Sequence, residues 1–311
     1  MELKSILGIK YPIIQGGMAR IATGAFAAAV SNAGGMGLIA SGGISAPELR
    51  EQIQIAKKLT DKPFGVNIML IDKDVEACAQ VLIEEGVKFV TTGAGVPDAY
   101  LPAWKEANIT VFPLVASVAT AKRAERSGAD GVIAEGSEAG GHIGELTTMA
   151  LVPQVKASVS IPVVAAGGIA SGEQMLAALS LGACGVQLGT ALLATAECPI
   201  HENYKQALLK AKDIDSVAIG RIGGIPVRVI RNQMSRSYLA SEKEGATKEE
   251  LEIYTLGALK KAVLEGDVVN GSLMAGQVAG MIKEIKPIKN ILDDIYNDCI
   301  KTLDNMKERL R

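Results

Sequence analysis

Short runs of Ile, Val, Leu and Phe, each closed by a glycine or a small polar cluster, recur along the first two thirds of the chain. There are eight, at residues 11–15, 37–40, 64–68, 88–92, 110–115, 131–135, 162–166 and 185–189, with starts 21 to 31 residues apart. Continuous apolar runs of this length fit strands buried on both faces, as in parallel sheets. The stretches between them, such as 47–59, 75–85, 120–127 and 172–181, carry apolar residues at helical spacing. Eight alternating strand–helix units predict an α/β fold, a (β/α)8 TIM barrel, with an open doubly wound sheet as the competing topology.

The pattern changes after Thr195. The sequence predicts a helix over 202–212, an arginine-containing irregular or strand segment, and a helix over 248–265. In the final segment, 287–310, Ile288, Ile291, Leu292, Ile295, Cys299 and Leu303 fall at helical spacing, which fits the helix that closes the barrel. The expected division is therefore a barrel of residues 1–196 and 285–311. A smaller, mainly helical unit, 197–284, is inserted as a cap between the eighth strand and its helix. Residues 21–47 carry no charge, but six glycines with Ser31, Asn32 and Ser41 interrupt them. A buried helix, a turn and a strand fit that stretch better than a membrane span or leader.

At 311 residues the chain accommodates one barrel with an insertion. With 48% hydrophobic and 21% charged residues it has ample material for a core. Aromatics are scarce at 4%, and 32 basic residues stand against 34 acidic ones, which argues against nucleic acid as a partner. The four cysteines are widely scattered and there are only two histidines, so neither a disulfide framework nor a metal site is expected, and a cytoplasmic location fits. Neither a P-loop nor a dinucleotide fingerprint after a strand occurs, so a dedicated nucleotide domain is not expected.

In a βα barrel the reactive face lies at the carboxyl ends of the strands. Gly16-Gly17-Met18, Asn67, the run Glu135 to His142, Gly167-Gly168 and Gly189-Thr190 occupy those ends. The glycines after the seventh and eighth strands either cradle a phosphate with bare N–H groups or simply turn the chain. His142 follows two glycines just past a strand. Its ordinary pKa of about 6.5 suits proton transfer or polarisation near neutrality, the alternative being a surface loop histidine. His201, among Glu202, Asn203 and Lys205, reads as a surface residue.

Several runs together resemble the nitronate monooxygenase superfamily of FMN barrels. They are Tyr11-Pro-Ile-Ile-Gln-Gly-Gly-Met, Lys62-Pro-Phe-Gly-Val-Asn-Ile, Ala134-Glu-Gly-Ser-Glu-Ala-Gly-Gly-His-Ile-Gly, Ala165-Ala-Gly-Gly-Ile-Ala and Gly185-Val-Gln-Leu-Gly-Thr. Within it, His142-Ile-Gly-Glu-Leu-Thr-Thr-Met, Lys210-Ala-Lys-Asp-Ile-Asp and Gly271-Ser-Leu-Met-Ala-Gly-Gln-Val-Ala-Gly are most similar to the flavin-dependent enoyl-acyl-carrier-protein reductases. The resemblance implies FMN with its phosphate at Gly167, Gly168, Gly189 and Thr190 and its ring near Gly17, Met18, Asn67 and Glu135. Gly140 and Gln187 would border the flavin, and His142 would be the catalytic residue. It further implies NADH as the favoured reductant, assistance by a monovalent cation in some members, a homodimer, and an enoyl thioester on acyl carrier protein as substrate. Oxidation of alkyl nitronates with dioxygen is the alternative activity.

Residues 216–241 contain no acid but hold Arg221, Arg228, Arg231 and Arg236. That local charge reads as a dock for an acidic carrier protein, as a contact to nicotinamide phosphates, or as a solvated face.

Overall fold

The computed structural model describes residues 3–223 and 225–309; Met1, Glu2, Gly224, Leu310 and Arg311, which fall within the expected segments, lie outside the described residues. The strands are β1 (Ile13–Gln15), β2 (Gly37–Ala40), β3 (Phe64–Met69), β4 (Phe89–Gly93), β5 (Thr110–Val115), β6 (Val132–Glu135), β7 (Gly141–His142), β8 (Val163–Ala166), β9 (Gly185–Leu188), β10 (Ser216–Ile219) and β11 (Val227–Ile230). All eight apolar runs are strands. They form one parallel sheet in the order β1-β9-β8-β6-β5-β4-β3-β2. Its two edges meet at an Ile14–Met36 bridge, where Gln15 N donates to Met36 O and Met36 N to Ile13 O, each at 2.9 Å. The sheet is thus a closed (β/α)8 barrel, and the open topology is excluded.

Strand alternation sorts the side chains. Ile14, Leu38, Phe89, Phe112, Ile133 and Val164 form one buried cluster that fills the barrel, and Leu3 and Leu7 of the short helix Leu3–Leu7 join it. That helix was not legible in the sequence. The alternate residues, among them Ile13, Val132, Val163 and Val186, and Ile39, Val66, Val90 and Val111, pack outward under the helices. The uncharged stretch resolves into the helix Gly24–Ala33, a turn and β2. There the helix lies so close to the strand that a Cβ on Gly37 would fall 1.9 Å from the carbonyl oxygen of Ala27.

The chain leaves and re-enters the barrel at one point. Ala196 N donates to Lys286 O at 3.0 Å and Lys286 N to Ala194 O at 3.2 Å. The buried Lys205 ammonium donates to Thr195 O at 2.8 Å and ties the first inserted helix, Glu202–Lys210, to the same spot. Tyr204 and Leu208 of that helix share the core of Leu192 and Leu193, so the apolar core runs from the barrel into the inserted residues. After them the helix Ile288–Arg309 packs on Gly172–Ser180 and on Gly24–Ala33, buries Ile288, Leu292, Ile295 and Cys299, and closes the barrel.

Between these points the single helix expected over 248–265 is broken. It runs as Lys248–Thr255, stops at Leu256 and Gly257 (φ 72°), and resumes as Ala258–Lys260 with a π-helical turn, Lys261–Glu265. A glycine with left-handed backbone ends the first segment, as helix C-termini commonly do. The arginine-containing segment forms the hairpin β10–β11, and β7 from the barrel's sixth loop adds to it as a third antiparallel strand. Among the described residues no helix is long and apolar enough to cross a membrane.

The contact at Gly37 is a testable point. Gly37→Ala must push a helix off a strand and is expected to cost about 3 kcal/mol, the upper end for overpacking. Gly128→Ala, where a Cβ meets nothing within 4 Å, carries only the strain of its φ of 95°, about 1–2 kcal/mol. Urea midpoints of the two variants should fall in that order.

Candidate active site

The carboxyl ends of β1, β3, β6, β8 and β9 bring the residues singled out above to one mouth of the barrel. Pairing sets their levels: Glu135 lies opposite Ala166, Ala166 opposite Gln187, and Gln187 opposite Ile14. Past β1, the backbone of Gly17 crosses directly over Asn67. A Cβ there would fall 2.3 Å from Asn67 Cγ. Thr91 Oγ1 donates to Asn67 Oδ1 at 2.8 Å, and this orients the buried amide with Nδ2 against Gly17. Met18 sits across from Gly189, its sulfur 3.9 Å from where a Cβ on that glycine would be.

Gly167 and Gly168 have φ values of 92° and 73°, a left-handed pair that only glycine adopts without strain. Their N–H groups, and those of Gly189 and Thr190, donate to no protein acceptor among the described residues. Bare N–H groups at two adjacent strand ends are the kind of backbone that can hold an anion. The turn is fixed from outside by Thr148, whose Oγ1 donates to Gly167 O at 2.9 Å and to Ala166 O at 3.2 Å. Glu138 in turn accepts Thr148 N at 2.9 Å and caps the helix Thr148–Lys156. Glu138 and Thr148 stand ten residues apart, and no periodicity in the sequence joins them.

Thr190 has a split role. Its hydroxyl accepts Gly276 N at 2.8 Å, leaving its own N–H for the cradle. Gly276 belongs to an inserted segment laid backbone to backbone on the sixth loop, with Gln277 N donating to Glu138 O at 2.9 Å. Gly140 is placed in that contact: a Cβ on it would fall 2.8 Å from Ala275 and Gly276. Gly140 therefore seats the insertion on the barrel loop.

Two titratable groups have shifted pKa values. Glu135, enclosed at the end of β6 with no cationic partner, is pushed up to about 7 by burial alone. His142 lies on β7 with its ring accessible and without a hydrogen-bond partner among the described residues. The protein crowded around it holds the imidazole below its usual value, so the neutral form dominates near pH 7. His201 caps the helix Glu202–Lys210, its Nδ1 accepting Asn203 N at 3.1 Å. All four cysteines are free; burial pushes Cys78 and Cys198 up to about 11, which leaves both thiols unreactive.

The basic stretch is not the open patch that its charge count implies. Arg221 is paired with Glu145 at 2.7 Å. Arg228 is 6% exposed, its Nε donating to Ser137 O at 2.8 Å and its Nη1 to Ser216 O at 3.3 Å. Only Arg231 and Arg236 remain as exposed, unpaired cations of the four. No local pattern marks this, because Arg228 is covered only once β11 lies between β10 and β7.

The nitronate monooxygenase family model matches residues 1–298. A substituted octahydro-1H-indene-4-carboxyl-CoA dehydrogenase from Rhodococcus jostii is 31% identical, with 97% of this chain and 96% of that protein covered. A probable nitronate monooxygenase from Staphylococcus saprophyticus is 37% identical over 75% of this chain and 79% of its own. A solved structure of FabK from Thermotoga maritima is 46% identical with a TM-score of 0.96, over 99% of this chain and 98% of that one.

The half-buried Glu135 residue, its carboxyl desolvated by the protein around it, sets a pH dependence. Its pKa is near the ordinary carboxylate value when unfolded and about 7 when folded. Its contribution to stability is complete below the unfolded value and is lost as pH rises through 7. Flavin-free protein should lose stability between about pH 5 and pH 8, by a few kcal/mol at ~1.4 kcal/mol per pKa unit. Glu135→Gln should flatten that loss. Urea midpoints across the range check it, and parallel curves would disprove the assignment.

Proposed function

The chain belongs to the nitronate monooxygenase family of flavin-dependent oxidoreductases, and within it we propose that this protein reduces trans-2-enoyl thioesters of acyl carrier protein to saturated acyl thioesters in fatty acid biosynthesis, with FMN as prosthetic group and NADH as reductant. The observation that carries this reading is the whole-chain likeness to FabK at 46% identity and a TM-score of 0.96.

The residues at the barrel mouth fit an FMN. The free N–H groups of Gly167, Gly168, Gly189 and Thr190 would hold its phosphate. Gln187 Oε1 is buried without any hydrogen-bond partner and offers an acceptor to a ring N–H. Asn67, Gly17 and Met18 would line the opposite side. When bound, the flavin supplies hydride transfer. The net reaction adds a hydride to the β-carbon and a proton to the α-carbon of the enoyl thioester, with NADH ending as NAD⁺.

The chain's own groups orient and polarise. His142 on β7, neutral near pH 7, would donate its imidazole N–H to the thioester oxygen and stabilise the developing enolate; the proton at the α-carbon would come from solvent or from the minor imidazolium form of His142. Arg231 and Arg236 are the cations left to steer an acidic carrier protein. Nitronate oxidation is the second reading, favoured by the Staphylococcus relative at 37% identity.

Purified protein is expected to be yellow and to release FMN on heating. His142→Ala should keep its flavin and lose ~10²–10⁴-fold in enoyl reduction. Anaerobic stopped-flow reduction by NADH followed by crotonyl thioester, set beside aerobic turnover of an alkyl nitronate by the oxidised protein without NADH, separates the readings. Reoxidation by the thioester supports the reductase, and turnover of the nitronate alone replaces it. Near-wild-type turnover of a fully flavinated His142→Ala would remove that residue from the mechanism.

A further inference from the structure

Residues 273–277 of the insertion are bonded in two directions. On one side, Ile230 N donates to Leu273 O at 2.8 Å and Val229 bridges Met274, so the segment runs along β11. β11 is also the strand that pairs with β7, where Val227 lies opposite His142 and Ile143 N donates to Pro226 O at 3.1 Å. On the other side, Gly276 N donates to Thr190 Oγ1 at 2.8 Å and Gln277 N to Glu138 O at 2.9 Å.

Both barrel contacts belong to residues that shape the glycine turns. Glu138 accepts Thr148 N at 2.9 Å, and Thr148 Oγ1 donates to Gly167 O at 2.9 Å, which ties Glu138 to the turn after β8. Thr190 stands at the turn after β9 and is 7% exposed. Its hydroxyl accepts the Gly276 N–H, while its own proton has no acceptor among the described residues. Hydrogen bonds in a chain polarise one another. An anion held at the Thr190 N–H lies within reach of the hydroxyl proton of the same residue. Accepting that proton would strengthen the bond from Gly276.

We propose that Thr190 is a positioning residue that couples the FMN phosphate to the docking of residues 276–277, and through β11 to the strand that carries His142. The inference rests on the reading of the glycine turns as the site of that phosphate. Cofactor binding and the seating of the insertion then favour one another, each by the same factor.

The test reads amide exchange and flavin affinity in the full chain, stripped of flavin and titrated back. FMN should slow exchange at Gly276, Gln277 and Ile143 by ~10-fold, an ordinary coupling between two sites. Saturating riboflavin, which has the ring without the phosphate, should leave those rates within ~2-fold. Gly276→Ala tests the reverse direction. Its extended backbone (φ −78°, ψ 180°) tolerates alanine, but the Cβ would fall 2.4 Å from Glu138 O and part the contact. This variant should bind FMN ~10-fold more weakly and riboflavin as wild type does. In Thr190→Val, bound FMN should no longer slow Ile143, and Thr190→Ser should restore the effect. That pair carries the test if Gly276→Ala does not fold. Unchanged FMN affinity in Gly276→Ala, or an undiminished effect on Ile143 in Thr190→Val, overturns the coupling. Equal protection by riboflavin overturns the role of the phosphate. Wild type that binds neither flavin overturns the flavin reading itself, and the coupling with it.

Discussion

His142 reaches its place through backbone hydrogen bonds between a two-residue strand in the barrel's sixth loop and a hairpin of the insertion. Among the described residues, the ladder pairs between β7 and β11 are Val227 opposite His142 and Arg228 opposite Gly141. Arg228 reinforces them from the buried side by donating to Ser137 O, five residues ahead of the imidazole, and to Ser216 O on β10. Burying a guanidinium without a carboxylate in contact costs several kcal/mol. Two carbonyl oxygens and the more distant charge of Glu138 offset part of that cost, while burial first and the charge of Arg221 second still hold the guanidinium below its ordinary pKa. The position of the imidazole thus depends on the insertion being folded and seated.

The same dependence explains the glycines of the sixth loop. Gly140 and Gly276 let two backbones meet, and Gln277 and Thr190 bond across that seam. Thr190 therefore belongs both to the proposed phosphate cradle and to the seat of the insertion. A phosphate bound at its N–H would stiffen the seam, and loss of the seam would loosen the cradle. If the proposed cradle holds the cofactor, its binding and the docking of the insertion would be coupled through Thr190.

The sequence showed what depends on local pattern. Eight buried strands are continuous apolar runs, and the closing helix Ile288–Arg309 carries its stripe openly, so both were legible. Strand ends follow from strands, which puts Asn67, Gly167, Gly168 and Gly189 at the barrel mouth, whereas Gln187 was expected there only from the family resemblance. What was hidden depends on partners far apart in the chain. The helix Leu3–Leu7 is too short to show a period, β7 is only two residues long, and Arg228 looks like any surface arginine until β7 covers β11. The continuous helix over 248–265 failed because Gly257 adopts left-handed backbone within an otherwise helical pattern. Side-chain periodicity does not register that change.

The electrostatics of the mouth bear on the kind of substrate it admits. Burial raises Glu135 and lowers His142, so both move toward their neutral forms near pH 7. Arg228 is withdrawn behind the strand, and Arg221 is paired with Glu145. Apart from the cradle, which attracts a phosphate, the barrel mouth offers little fixed charge to a substrate. A neutral, largely apolar thioester meets no desolvation penalty from such walls, whereas an alkyl nitronate brings a charge that these residues do not match. One barrel serves both chemistries across the family, so the discrimination must lie in the groups around the mouth. Under the proposed reductase reading, the neutral imidazole of His142 is the group at that mouth that would favour the acyl thioester.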